Sequence, residues 1–291
     1  MQPSRPFPAR VVPGARCATW AFATVVALAC APGAVAQDRP LWEAGVGVVA
    51  GAFEHYPASG SNQGRALVYP WLVYRGDILR VRDGRVHARL FNSERWHVDV
   101  GFDGAVSARS ADIPARAGMP DLGYLLEAGP RIRYRINDLG DRRQRWLASL
   151  SLRGALSVGS GTQARGAVLA PSLDYRRSGL AQGRLGYSAS LSVRIGSRRY
   201  MDYYYGVAPA YAIAGRPGYD ARAGYLGTRL STFAAYRLDR AWTVFGFAQL
   251  ASYAGAANES SPLFRRRWGY QAGIGFAYRF GESGTRVNVP D

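Results

Sequence analysis

At 291 residues the chain suits one or two domains, and 37 basic against 20 acidic residues give it a formal net charge of +17. Every basic residue is arginine, which admits phosphate-bearing partners because a guanidinium grips phosphate bidentately. A basic balance also raises nucleic acid as a partner, but an exported chain with no nucleic-acid-binding motif argues against it.

The N-terminus reads as a leader. Arg5, Arg10 and Arg16 precede an apolar run from Cys17 to Ala31, short of the roughly 20 residues a membrane-spanning helix needs. Ala34-Val35-Ala36 then places small residues where a signal peptidase reads them. Cleavage is expected between Ala36 and Gln37, giving a signal peptide over 1–36 and one mature domain over 37–291. Lipidation at Cys30 is the weaker alternative, because Ala27 stands where leucine is usual. Cys17 and Cys30 both leave with the leader, and with them any disulfide, thiol nucleophile or cysteine metal site.

Beyond Gln37 no segment is long and apolar enough for a transmembrane helix, and no 3.6-residue stripe is sustained. Runs of about ten residues instead alternate apolar with polar, the repeated signature of an antiparallel transmembrane β-barrel. Twelve strands are expected, near 42–54, 65–82, 85–91, 96–106, 122–137, 146–158, 166–177, 184–196, 199–208, 223–237, 241–254 and 267–280. Turn residues such as Asp83-Gly84, Gly159-Ser160-Gly161 and Leu238-Asp239-Arg240 punctuate them. An even number returns both termini to the periplasm. Loops near 55–64, 209–222 and 255–266 would then face outward, and 107–121 would be a long periplasmic loop. The rival fold, a periplasmic β-sandwich, accounts less well for 18 tyrosines and 7 tryptophans gathered at run ends.

Along the runs the two faces separate cleanly. In 146–158, Trp146, Ala148, Leu150, Leu152 and Leu156 alternate with Ser149, Ser151, Arg153 and Ser157. In the last run Tyr270, Ala272, Ile274, Phe276, Tyr278 and Phe280 alternate with Gln271, Gly273, Gly275, Ala277 and Arg279. Aromatics at both ends fit interfacial girdles, and closure on Tyr278 and Phe280 is similar to a barrel-assembly signal, although Gly281 to Asp291 follow. For 241–254 the register is open, Phe245 and Phe247 competing with Val244 and Leu250.

Arginine on a lipid face would cost about 2–4 kcal/mol at the midplane, so Arg85, Arg89, Arg131, Arg133, Arg135, Arg153, Arg184, Arg194 and Arg279 are expected in the lumen. They would form either an anion track or a plugged interior in which Glu127, Asp99, Asp103 and Asp174 pair with them, the latter being favoured. Arg265-Arg266-Arg267 could meet lipopolysaccharide phosphates. Catalytic signals are weak. No metal-ligand spacing connects His55, His87 and His97, no Gly-x-Ser-x-Gly elbow occurs, and Gly45-Val46-Gly47 lies inside a strand rather than before a helix. His97, Asp99 and Asp103 share one face, a minor hydrolase option. No cofactor is expected.

Several short segments carry a family likeness. Tyr204-Tyr205-Gly206-Val207, Gly218-Tyr219-Asp220-Ala221, Ala223-Gly224, Ser261-Pro262 and Gly273-x-Gly275-x-x-Tyr278-x-Phe280, with Tyr69-Pro70, Tyr74-Arg75-Gly76 and Glu127-Ala128-Gly129-Pro130, resemble the MipA/OmpV family of outer-membrane proteins. The likeness covers nearly the whole mature chain. It implies a non-enzymatic barrel of the Gram-negative outer membrane, a scaffold joining a lytic transglycosylase to a bifunctional murein synthase, with no catalytic residues to carry over. A narrow anion-preferring channel or an adhesin is the alternative.

Overall fold

The computed structural model describes residues 38–75, 79–82, 85–88, 91–93, 95–141, 143–159 and 161–288. Residues 1–37, with the expected leader and its cleavage site at Ala36 and Gln37, and also Arg89, lie outside them.

Among the described residues fifteen strands follow in chain order: β1 (Asp38–Pro40), β2 (Trp42–Glu54), β3 (Asn62–Arg75), β4 (Leu79–Arg82), β5 (Arg85–Ala88), β6 (Phe91–Asn92), β7 (Trp96–Ala105), β8 (Tyr124–Arg135), β9 (Gln144–Val158), β10 (Thr162–Gly179), β11 (Leu185–Gly196), β12 (Gly224–Arg237), β13 (Trp242–Ser252), β14 (Trp268–Glu282) and β15 (Arg286–Asn288). Thirteen form one antiparallel sheet in the order β5-β4-β3-β2-β14-β13-β12-β11-β10-β9-β8-β7-β6. Its first and last members are two residues apart in the sequence, so the sheet has curled round on itself into a barrel. Among the described residues no helix is long and apolar enough to cross a membrane.

Period-two alternation decides which side chains face where. Along β9 outward Leu150, Leu152 and Leu156 are exposed, while inward Ser149, Ser151 and Arg153 are buried. Along β14 Ile274, Phe276, Tyr278 and Phe280 face out and Gly275 and Ala277 face in, as the alternation predicts. At the end where the termini lie, Trp42, Trp96, Trp146, Trp242 and Tyr278 form an outward girdle, with Trp96–Tyr134, Trp146–Tyr175 and Trp242–Tyr278 each 4.8 Å apart between ring centroids. The open register of β13 resolves with Phe245 2% and Leu250 59% exposed: the phenylalanines point inward.

Three expectations change. The run 199–208 is not a strand; Arg198–Tyr205 is a helix, started by Ser197, whose hydroxyl accepts from Tyr200 N. Its Tyr200, Met201, Tyr204 and Tyr205 follow helical spacing and are buried, which a strand's alternation could not achieve. The run 65–82 is two strands, β3 and β4, and 85–91 spans β5 and β6. Among the described residues one expected pass is thus removed and one divided. Finally, 107–121 lies at the end away from the termini, because the extra turn between β3 and β4 reverses its parity. There it packs with the segments following β2, β11 and β13.

The tail beyond Phe280 also finds a place. β14 continues to Glu282, and β15 then pairs with β1, Arg39 opposite Val287, so the two ends of the domain form a small ribbon below the wall.

Candidate functional site

The lumen has two unlike walls. On the side of β2, β3 and β12–β14, Val49, Tyr69, Ala235, Phe245 and Ala277 pack as a buried apolar cluster, with Leu67, Trp71, Phe233 and Phe247 against it. Glycines opposite the rings make this possible: a Cβ on Gly47 would collide with the Tyr69 ring, and one on Gly275 with the Phe245 ring. The Gly45-x-Gly47 pair therefore serves aromatic packing.

On the side of β7–β12 the wall is charged. Asp99 receives Arg131 Nε at 2.8 Å and Nη2 at 2.9 Å, and also Arg133. Arg153 Nε donates to Glu127 Oε2 at 3.1 Å and its Nη2 to Asp103 Oδ2 at 3.4 Å. Arg194 Nη2 donates to Glu127 Oε1 at 2.8 Å, and Arg229 Nη1 to Asp103 Oδ2 at 3.1 Å. Below them Asp174 accepts the hydroxyls of Ser149, Ser172 and Ser190 at 2.6, 3.1 and 2.5 Å. Arg131, Arg133, Arg153, Arg194 and Arg229 thus share Asp99, Asp103 and Glu127, leaving the cluster formally positive.

Of the arginines expected in the lumen, Arg131, Arg133, Arg153 and Arg194 come together here. Arg135 is buried but ties down the following turn, donating to Asp138 O and Asp141 O. Arg279 points inward near the terminal end and pairs with Glu43 at 3.1 Å and Glu282 at 2.7 Å, apart from the cluster. Arg184 is exposed on the turn before β11, one residue beyond the alternating part of its run, and does not belong to the lumen. The backbone of Arg85 is in β5, its side chain outside what is described, as is all of Arg89. Arg229 is a participant the sequence reading did not single out: Ser231 beside it on the inward face is polar, but apolar Phe233 and Ala235 follow. His97 gains no catalytic partner: its Nδ1 is buried without a hydrogen bond, and Asp99 is occupied by arginines.

The end away from the termini is filled. The helix Arg198–Tyr205 and the segments around Tyr56, Ile113 and Leu263 fold into one buried core of Tyr200, Met201, Tyr204, Tyr205, Val207 and Leu226, among others. Long-range bonds lock it. Tyr56 Oη donates to Leu263 O at 2.7 Å, Tyr205 Oη to Pro57 O at 3.0 Å, and Ser261 Oγ to Tyr205 O at 2.8 Å. Tyr200 Oη donates to Glu127 Oε1 at 2.6 Å, joining this plug to the charged wall. Tyr204 to Val207, Tyr219, Ala221 and Ser261, far apart in the family-like segments, all meet here. Burial pushes the Tyr56 and Tyr203 phenols up to about 12, although Arg116 pulls both the other way. Burial lowers Arg116, which nonetheless donates to Tyr204 O at 3.4 Å and Pro120 O at 3.2 Å.

Two cavities among the described residues lie inside the barrel. One, of about 880 Å3, lies beneath the plug between the aromatic and charged walls. The other, of about 280 Å3, is lined by serines, Arg131, Arg153 and Asp174. Arg194, Arg229, Asp103 and Gln249 border both. Among the described residues no group of three histidine, cysteine or acidic side chains could hold a metal ion.

Known proteins place this geometry in context. The chain is similar to the NanC porin in a rhombohedral crystal form, at 9% identity, covering 80% of this chain and 98% of that one with a TM-score of 0.40. It is also similar to the translocator domain of the autotransporter NalP from Neisseria meningitidis, at 12% identity, 84% and 90% coverage and a TM-score of 0.35. For the CymD monoaromatic hydrocarbon channel the values are 12%, 82%, 89% and 0.30. No curated protein matches. The family model of MltA-interacting protein MipA matches residues 46–280, from the first long strand to the last outward phenylalanine, and the chain belongs to that family.

Proposed function

We propose that the protein is a non-enzymatic barrel of the bacterial outer membrane, exported by its leader and cut after Ala36, that serves as a scaffold for murein-synthesising and murein-degrading enzymes. Membership of a family described as MltA-interacting carries this reading. The filled loop end supports it over a wide pore. With the termini in the periplasm, the enzyme-facing surface is the β1–β15 ribbon and the turns after β8, β10 and β12, not 107–121. At the opposite end Arg265, Arg266 and Arg267 are exposed, Arg267 against Glu259, and meet lipopolysaccharide phosphates there. The test is affinity capture with the full-length barrel in detergent: a soluble lytic transglycosylase and a bifunctional murein synthase are both expected to be retained. Retention of neither would remove the scaffold.

The positive excess of the five-arginine cluster favours a second reading, a narrow anion-preferring channel. Planar-bilayer recording separates the two, because a scaffold needs no conductance.

A further inference from the structure

The smaller cavity is a polar chamber bordered by β7 to β13. At about 280 Å3 it falls just below the roughly 300–1,000 Å3 of small-molecule sites, room for a monosaccharide-sized solute rather than a single inorganic ion. Its lining offers little apolar surface. Besides Phe102, Tyr175, Ala170 and Ala189 it consists of six serines, Gln249, two aspartates and five arginines. Period two on β11 accounts for half of the serines: Ser188, Ser190 and Ser192 turn into the chamber, while Leu191 between two of them faces out. On the neighbouring strand Arg229 lies opposite Ser192, and Ser231 opposite Ser190.

The charge of this chamber is positive and partly unspent. Asp174 is already satisfied by three serine hydroxyls. Asp99 and Glu127 reach three of the five arginines from outside the lining, and a positive excess still remains. Arg131 closes its Nε–Nη2 edge as a fork on Asp99. The same edge of Arg229 makes no hydrogen bond among the described residues, because that side chain donates only through Nη1, to Asp103 at 3.1 Å. Arg229 keeps 19% of its side chain accessible at an inward-facing position. A guanidinium edge of this kind takes an oxyanion through two parallel N–H···O bonds.

We propose that the smaller cavity binds a polyhydroxylated oxyanion of monosaccharide size, a sugar acid or a sugar phosphate. Its carboxylate or phosphate sits on the open edge of Arg229, and its hydroxyls exchange hydrogen bonds with Ser188, Ser192, Ser231 and Gln249. Serine hydroxyls and a glutamine amide both donate and accept, which suits a polyol. A bare oxyanion would leave the serines unengaged, and a neutral sugar would leave the arginine edge unpaired. The solute arrives from the end where the termini lie, since Arg176 and Ser188 in the lining are each three residues from the turn that joins β10 to β11. Binding requires neither a murein enzyme nor passage from end to end, so it stands whether or not the scaffold or the channel does.

Isothermal titration of the full-length protein in detergent tests it with four solutes: glucuronate, glucose 6-phosphate, glucose and hexanoate. Saturable binding of one or both sugar anions is expected, and which of them binds identifies the head group. Glucose lacks the charge and hexanoate the hydroxyls, so each is expected to bind about tenfold more weakly or less. Arg229→Gln is expected to weaken the sugar anion by a similar factor, and Ser192→Gln to abolish binding by filling the chamber. Heat-modifiable gel mobility checks that each variant is folded, and the comparison of solutes on the unaltered protein decides the matter even if neither is. The proposal is overturned if neither sugar anion saturates, if hexanoate or glucose binds as well as the sugar anions, or if folded Arg229→Gln keeps full affinity.

Discussion

Glu127 is the residue on which wall and plug converge. Its two oxygens receive Arg153, Arg194 and Tyr200, and its side chain is nearly fully buried. Truncation to alanine takes from Arg194 its ion pair and leaves Arg153 with Asp103 and Ser151, and breaking one side of a buried pair costs about 3–5 kcal/mol. Tyr200→Phe removes a hydroxyl that donates to Glu127 and accepts from Arg194 Nη2, a loss of about 1.5–3 kcal/mol for bonds to charged groups, but it leaves the ion pairs in place. Urea titration of the barrel in micelles should therefore find Glu127→Ala the more destabilising of the two; equal effects would show that the network is not shared. The plug tyrosines give a second prediction. Tyr56 and Tyr203 rise from an ordinary 10.0 to about 12 because burial disfavours the phenolate. The folded state then holds protons that the unfolded chain releases, so stability is complete below pH 10 and falls as pH climbs towards 12. The part of the phenolate absorbance that Tyr56→Phe with Tyr203→Phe removes should appear together with loss of the folded form, not before it.

At the scale of elements, alternation carried most of what could be read. Leu150 and Ser151 differ by one position, yet one meets lipid and the other Arg153 and Ala170. Leu150→Arg should destabilise the barrel by about 2–4 kcal/mol if its position is near the midplane. Its readout is heat-modifiable gel mobility, and an unchanged unfolding temperature would place that face away from lipid. What alternation could not read was the helix Arg198–Tyr205. Its four tyrosines favour strands, and its only helical cues are Ser197 and the four-residue spacing of Tyr200 with Tyr204 and Met201 with Tyr205. The break between β3 and β4 carries only Gly76-Asp77, a turn signal no stronger than several within strands. The arginine cluster was legible on strands whose inward face is mostly polar, and Arg229 was hidden on β12, whose inward face turns apolar after Ser231 at Phe233 and Ala235.

For the molecule as a whole, the deciding question is whether solute can pass from end to end. The plug closes one end with a buried core joined by bonds between residues up to 207 positions apart. Beneath it, Asp103, Glu127 and Asp174 cross the lumen with their arginine and serine partners. An intact plug should give no sustained steps in a planar bilayer. Met201 and Tyr205 lie on the helix face packed into that core, both fully buried, so Met201→Ala with Tyr205→Ala should loosen it at the expense of several kcal/mol of packing, about 2–5 for each such truncation. Conductance should then appear, and it should favour anions, because five arginines face four carboxylates, Asp174 included, along the path. Cation preference in the loosened variant would mean that the arginines are fully neutralised. Wide, unselective steps in the unaltered protein would mean that the helix does not occupy the barrel mouth.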